Sequence, residues 1–406
     1  IMGQAVDPSI IAACGAGWVR INFILGDQWA SPTDDARPHG LTWAETYDQI
    51  IDGFRAKDLR IYGLISNEAV GSPLEGEFRQ PPGDNPLDHP WLREYAENFV
   101  AIARHFDGRV SVYESFNEPD DWKGHIAGWT NSTPNWIHPG WFAAMLQAVY
   151  TAVSAAPDLK QIRLVSGPLQ GLEGINRGNG APGYLDRTYA AGVRLFGWGK
   201  AGVPFPFDGV GYHLYVHEAF SRNRNAQHQQ IGATYRRYLA EMRDVTRKYE
   251  GRIKPLYISE LGWFTNGQDR DAMEQFQADS LCYGLDALIQ EPSVALAVNF
   301  CTQDFGEPEQ GKYYGLFRKG PLSSDNRKPA FAAFRKLCQQ EMDLPMCVDL
   351  TTEEPTLQII VFGPFSHQDL INAFVFAAAA LDLDDDWALM TKSGIPVADL
   401  TADRLA

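Results

Sequence analysis

Short runs of β-branched and aromatic residues alternate with amphipathic stretches along most of this chain, which predicts repeated βα units. The strand-like runs are Gly17 to Ile24, Leu59 to Ser66, Val110 to Asn117, Ile162 to Gly167, Asp208 to Tyr215, Pro255 to Glu260 and Val294 to Thr302, with Ile1 to Gln4 as the end of a further one. Between them lie helical patterns. In Leu41 to Lys57, Thr42 and Glu45 form a capping box, and Trp43, Tyr47, Ile50, Ile51 and Phe54 make one apolar stripe. Trp91 to Phe106, Trp141 to Ala156, Ile231 to Tyr249, Asp271 to Gln290 and Pro329 to Gln339 fit helices too, with Pro90 and Pro329 suited to first turns.

A doubly wound open sheet uses the same alternation as a closed barrel, so the loops must decide. No G-x-G-x-x-G follows the early strands, and the Gly-rich run Gly171 to Gly183 lies far down the chain, where it reads as a surface loop. Polar and aromatic residues instead gather after the C-terminal ends of several strands, where barrel enzymes place their sites. The expected fold class is α/β, a (β/α)8 TIM barrel over residues 1–344. From Pro345 to Ala406 the rhythm breaks into a strand-like run Leu357 to Phe362, an Ala-rich run Ala377 to Ala380 and the acidic Asp382 to Asp386. This segment is expected to be a small C-terminal appendage or the beginning of an accessory module.

Composition narrows the function classes. With 406 residues, 45% apolar and 12% aromatic, the chain can bury a large core. A net charge of −16 argues against nucleic acid, which is bound through Lys and Arg clusters. The longest apolar candidate for a membrane span, Leu370 to Leu383, is too short and ends in acids, so no membrane partner is expected. The five cysteines, Cys14, Cys282, Cys301, Cys338 and Cys347, have neither CxxC spacing nor disulfide-scaffold density. Cys338 and Cys347 flank a short connection and could be bridged or free. Ile1 is not an initiator and no charged-then-apolar leader is visible, so the chain reads as a mature or trimmed form. Localisation stays open, with a secreted or extracellular place slightly favoured, and so does the oligomeric state.

Two acids end strand-like runs. Glu118 lies in Val-Tyr-Glu-Ser-Phe-Asn-Glu-Pro-Asp-Asp-Trp (112–122) and Glu260 in Pro-Leu-Tyr-Ile-Ser-Glu-Leu-Gly-Trp (255–263). Two carboxylates on one rim of a barrel are the minimal equipment for cleaving a glycosidic bond. Alternation along a strand puts Leu256, Ile258 and Glu260 on one face, as it does Glu114, Phe116 and Glu118, or Gly211, His213 and Tyr215. Glu114 shares the parity of Glu118 but sits about 13 Å down the strand, which suits a buried ion pair with an arginine better than catalysis.

Asn117-Glu118-Pro119, at the end of the fourth strand in the clan's count, together with Glu260 at the end of the seventh, resembles the clan A glycoside hydrolases, retaining barrel enzymes that include cellulases, mannanases and xylosidases. The resemblance covers about residues 1–340. It implies that Glu118 is acid and base, Glu260 the nucleophile, and that Asn117 binds a sugar hydroxyl. It also implies that Arg20, in Trp-Val-Arg-Ile-Asn, supports the nucleophile, and that Tyr215, in the pair His213-x-Tyr215, hydrogen-bonds it. One departure stands out: where many members carry a tryptophan after the eighth strand, Val294 to Asp304 offers Asn299, Phe300 and then Phe305. Cellulase-like, xylosidase-like and β-1,3-glucanase-like branches all remain in view.

Bland readings stand beside these. Glu260 alone could be a structural ion pair. His213, His217 and Glu218 invite a metal-dependent hydrolase, although spacing of four suits a helix and His213 ends a strand; His213 is expected to bond a sugar or the acid instead. Trp18, Trp43 and Trp91 sit in core patterns, whereas Trp122, Trp129, Trp136 and Trp263 follow the two acidic strand ends and could stack on sugar faces. The reading reached is a retaining β-glycosidase acting on an oligo- or polysaccharide without cofactor or metal. A non-catalytic carbohydrate-binding barrel and a metal-dependent hydrolase using His213 and His217 are the alternatives.

Overall fold

A computed structural model of the protein describes residues 7–25, 42–72, 74, 76–120, 137–170, 180–215, 224–265, 269–305, 313–343, 348–349 and 356–357. Seven strands form one parallel sheet in sequential order: β1 (Trp18–Asn22), β2 (Arg60–Ile65), β3 (Val112–Ser115), β4 (Arg163–Leu169), β5 (Gly209–His213), β6 (Leu256–Leu261) and β7 (Val294–Asn299). Each of the seven expected strands is present. The segment Ile1 to Gln4, where a further one was expected, lies outside the described residues.

Sequential parallel pairing requires a crossover between neighbours, and helices supply it. They are α1 (Pro8–Ala13), α2 (Trp43–Arg55), α3 (Pro90–His105), α4 (Pro139–Ser154), α5 (Ala181–Phe196), α6 (Arg224–Glu250), α7 (Arg270–Ile289) and α8 (Pro329–Asp343). The capping box on α2 is formed, with Thr42 Oγ1 accepting from Glu45 N (3.2 Å) and Glu45 Oε2 accepting from Thr42 N (2.8 Å). Helix α5 departs from the sequence reading, which placed Ala181 to Gly183 in a loop. Pro182 is tolerated in a first turn, and the buried stripe Tyr184, Leu185, Thr188 and Tyr189 then holds the helix on the barrel.

The sheet curls into a barrel. Strands β2 and β6 are separated by three others in the sheet, yet the rings of Tyr62 and Tyr257 stack with centroids 5.7 Å apart and planes 6° apart. They can meet only across the interior of a closing sheet. At the seam, β1 and β7 bring Cα atoms within 8 Å. Apolar burial divides accordingly. A large core lies between strands and helices, and a small one, Tyr62, Val112, Val165 and Tyr257 with Trp18 and Leu296 packed on it, fills the barrel interior. The fold is a TIM barrel.

Backbone contacts divide the chain into a unit of residues Ile1–Gln339 and a second of Gln340–Ala406. In the second, Val348–Asp349 pairs antiparallel with Thr356–Leu357. The remainder of the run Leu357 to Phe362, the Ala-rich and acidic stretches and Cys347 lie outside the described residues. Among the described residues no helix is long and apolar enough to cross a membrane.

Candidate active site

Strand β3 delivers its residues to the mouth through an irregular turn. Phe116 (φ 75°) and Glu118 (φ 47°) both occupy the left-handed region, which costs a non-glycine residue about 1–3 kcal/mol and tends to be kept where function requires it. Two backbone bonds hold the turn, from Phe116 N to Ile65 O (2.8 Å) and from Glu118 N to Pro168 O (3.1 Å). The result overrides simple alternation: the Phe116 ring enters the outer core, while Asn117 and Glu118 remain half-buried at the rim.

On β5 the expected alternation holds. Gly211, His213 and Tyr215 face inward, and Val210, Tyr212 and Leu214 join the outer core. On β6 it does not. Leu256 and Ile258 belong to the outer core, whereas Tyr257 and Ser259 point inward, because the β5 to β6 register slips between Tyr212↔Ile258 and His213↔Glu260. That irregularity turns Glu260 inward after Ser259, so two consecutive residues reach the interior.

Arg20 of β1 is the hub. Its Nε donates to Glu114 Oε2 (2.9 Å), its Nη1 to Glu260 Oε1 (2.7 Å) and its Nη2 to Asn117 Oδ1 (2.8 Å), with Nη2 also 2.8 Å from Glu114 Oε2. Burial works against the guanidinium charge, but Glu114 and Glu260 more than offset it and lift the Arg20 pKa above the usual arginine value. The fork geometry that lets one cation serve three acceptors is specific to arginine. Glu114, expected in a buried arginine pair, is in that pair.

Two further groups define the acids. The Tyr215 hydroxyl donates to Glu260 Oε2 (2.8 Å); burial and then the Glu260 charge raise the phenol pKa well above normal, so Tyr215 remains a donor. His213 Nδ1 lies 2.6 Å from Glu118 Oε1 and 3.6 Å from Glu260 Oε2. Complete burial pushes the His213 pKa down to about 4, with Glu260 opposing that fall and Arg20 adding to it, so the imidazole is neutral at pH 7. A neutral ring beside a carboxyl oxygen carries its proton on Nδ1 as a donor, or accepts there from a protonated Glu118. Its Nε2 is buried and has no hydrogen-bond partner among the described residues. One carboxyl oxygen of Glu118, one of Glu260 and a ring nitrogen of His213 all lie within 4.8 Å of one another.

No family model matches the chain, and no curated protein matches it in sequence. Solved structures do match in shape. A GH5_18 protein from Streptomyces cattleya in complex with Manβ1-4GlcNAc has a TM-score of 0.55 at 16% identity, over 86% of this chain and 76% of that one. A GH5-4 broad-specificity endoglucanase from Clostridium longisporum has a TM-score of 0.55 at 11% identity, over 84% and 87%. A family 39 glycoside hydrolase from the gut symbiont Bacteroides cellulosilyticus has a TM-score of 0.52 at 14% identity; it is matched over 84% of this chain, which spans 61% of its length.

The fold is the TIM barrel of these glycoside hydrolases. At such low identity the likeness concerns the barrel alone, and the individual family is unassigned.

Within this barrel, the aromatic assignments need correction. Trp263 is not a sugar platform. It is only 2% exposed, with its ring against Gly284 of α7, where an added Cβ would lie 2.5 Å from it, so it belongs to the core. Trp122, Trp129, Trp136, His217 and Glu218 lie outside the described residues. What does line the Glu260 side is a set of rings not anticipated together: Tyr215, Phe300 and Tyr314, with centroids 5.8–6.4 Å apart in edge-to-face contacts, and Phe305, 44% exposed and 6.0 Å from Phe300. Phe300 and Phe305 were visible after the last strand. Tyr314 was not, because it sits beyond residues 306–312 in a segment with no periodicity. That segment is pinned by a buried network. Lys328 Nζ pairs with Asp304 (2.8 Å) and donates to Tyr313 O (3.3 Å), Asp304 Oδ1 accepts from Gly315 N (2.8 Å), and Gln277 Nε2 donates to Tyr314 O (3.0 Å).

Glu118, His213 and Glu260 could offer a cation three ligand atoms. The Arg20 guanidinium already pairs with Glu260 at 2.7 Å, and Nδ1 of His213 is engaged with Glu118, so a second positive charge would meet an occupied donor set. The arrangement favours acid and nucleophile chemistry.

Proposed function

We propose that the chain is a retaining β-glycoside hydrolase acting on an oligo- or polysaccharide, with Glu118 as acid and base and Glu260 as nucleophile. The observation that carries the proposal is the separation of the two carboxyl groups. Retaining enzymes hold theirs about 5–5.5 Å apart, whereas inverting enzymes leave about 6.5–9.5 Å for a water. Here one oxygen of each acid lies within 4.8 Å of one of the other, a spacing that suits the first arrangement better than the second. The enzymes whose barrels this chain matches are named as glycoside hydrolases and an endoglucanase, which points the same way.

The two acids have different surroundings, and these suit different roles. Glu260 receives Arg20 Nη1 on one oxygen and the Tyr215 hydroxyl on the other, an environment for an anion with its lone pairs aimed. It attacks the anomeric carbon while Glu118 gives its proton to the glycosidic oxygen, so the C–O bond breaks and the leaving alcohol departs neutral. Once Glu260 is esterified its negative charge is gone. Glu118, now the anion, takes a proton from water, and the hydroxide attacks the anomeric carbon to release the sugar with its original configuration and Glu260 as carboxylate. Asn117, fixed by Arg20 Nη2, is placed to hold a hydroxyl next to that carbon.

A panel of nitrophenyl glycosides and polysaccharides tests the activity and names the sugar. Glu260→Ala is expected to abolish turnover of the active panel member by about 10⁴-fold or more, and added azide to restore it with an α-glycosyl azide as product. Normal turnover in this variant would refute the nucleophile.

A further inference from the structure

The interior holds a third carboxylate that the double displacement does not use. Glu114 is fully buried, and four donors converge on it: Arg20 Nε and Nη2 on Oε2 (2.9 and 2.8 Å), and the Tyr62 hydroxyl (3.1 Å) and Ser259 Oγ (2.7 Å) on Oε1. A group that receives four donors and offers none is in its ionised, acceptor-only form. Room is made for it from across the barrel, because a Cβ at Gly211 would lie 2.6 Å from Glu114 Oε1.

Counting formal charges through this cluster is instructive. Arg20 carries +1, Glu114 and Glu260 carry −1 each, and His213 is neutral. The charged and titratable groups around Glu114 are Arg20 on β1, Tyr62 on β2, His213 on β5, Tyr257 and Glu260 on β6, and Tyr95 on α3. Tyr62 and Tyr95 have their phenol pKa values raised by burial before any charge acts, so both stay neutral. Arg20 therefore cannot neutralise both carboxylates it touches. Its Nε and Nη2 reach Glu114, and its Nη1 reaches Glu260.

We propose that Glu114 is a positioning residue that holds the Arg20 fork in one orientation and, through its own negative charge, sets the pH range in which the Glu118 and Glu260 pair works. With Glu114 present, the cation aims Glu260 without fully cancelling its charge. This inference rests on the glycosidase reading above.

Glu114→Gln tests it, because the amide keeps the shape, accepts from Arg20 and can donate to the Tyr62 and Ser259 oxygens, while the charge is gone. Losing a nearby negative charge makes both remaining carboxyls ionise more easily. Both limbs of the kcat/KM profile are therefore expected to move to lower pH by about one unit, with kcat reduced about tenfold and KM changed less than about threefold. A purely structural role would lower the melting temperature and leave the limbs where they were. Tyr62→Phe gives the opposite sign and a second reading if the first variant does not fold: removing a donor leaves the Glu114 charge less compensated, and the limbs should move to higher pH. Limbs that coincide with those of the unsubstituted protein in whichever variant folds overturn the inference. If the unsubstituted protein turns over no glycoside in the panel, the glycosidase reading itself has failed, a distinguishable result.

Discussion

The barrel interior has two storeys built on opposite principles. In the lower one, Trp18, Tyr62, Val112, Val165, Tyr257 and Leu296 fill the space with apolar surface; the Tyr257 hydroxyl turns sideways to accept from Arg163 at 3.1 Å, and the Tyr62 hydroxyl reaches up to Glu114 at 3.1 Å. In the upper one, Arg20, Glu114, Asn117, Glu118, His213 and Glu260 fill it with charge and hydrogen bonds. The lower storey needs chiefly volume, and apart from Tyr62, whose hydroxyl reaches Glu114, its side chains can be exchanged for others of similar size. The upper needs every partner in place, because a buried charge that loses its counter-charge costs about 3–5 kcal/mol. The dry floor also matters to the layer above it, since electrostatic interactions strengthen where water is excluded.

Substitutions that strike one storey and spare the other test this division. The largest effect is expected from Arg20→Ala, which strands Glu114 and Glu260 together. Stability should fall by about 3–5 kcal/mol in denaturant titration and kcat/KM by about 10³-fold. Arg20→Lys should restore much of the first and little of the second, because an ammonium lacks the fork. Equal recovery of both would break the argument. Next comes Glu118→Gln, expected to slow poor leaving groups by about 10²–10⁴-fold and activated aryl glycosides much less. Uniform slowing across leaving groups would remove Glu118 from the role of acid.

A pH effect on stability ranks third. His213 has its folded pKa lowered from 6.5 to about 4, so protons favour the unfolded chain. The contribution of the neutral ring is complete above pH 6.5 and is lost progressively as pH falls from there to about 4, amounting to about 3 kcal/mol. Chemical denaturation at a series of pH values should show this decline in the unsubstituted protein and a flatter one in His213→Gln. The smallest effect is expected of Val165→Ala on the floor: about 1–2 kcal/mol of stability, with kcat per folded molecule unchanged. A kcat loss beyond about threefold would mean that the two storeys are coupled.

How much of this could be read beforehand differs from strand to strand. Strand β5 obeyed period-two alternation, so Gly211, His213 and Tyr215 share one face as expected, and that face is the inward one. Strand β6 was misread, because a register slip near Glu260 is a relation between two strands and leaves no mark in either one alone. The turn at Phe116 is similarly non-local: its left-handed backbone is enforced by bonds to β2 and to the end of β4. The arginine partner of Glu114 was foreseen in kind but not by number, since Arg20 lies 94 residues away. Trp263 was misplaced because an aromatic residue just past a strand end at the barrel mouth has the same local pattern whether it turns to the cleft or to the helix behind. The small side of Gly284 decides that, and it is 21 positions further on.

Gly211 gives the barrel a constraint of its own. A methyl group added at this position of β5 would meet both Glu114 Oε1, from a strand two places away, and the Ser166 backbone oxygen at 2.6 Å, and by pressing on Glu114 it would disturb the arginine. Such a protein could keep Glu118 and Glu260 and still lose the arrangement of Arg20 around them, its fault lying at a residue outside that cluster.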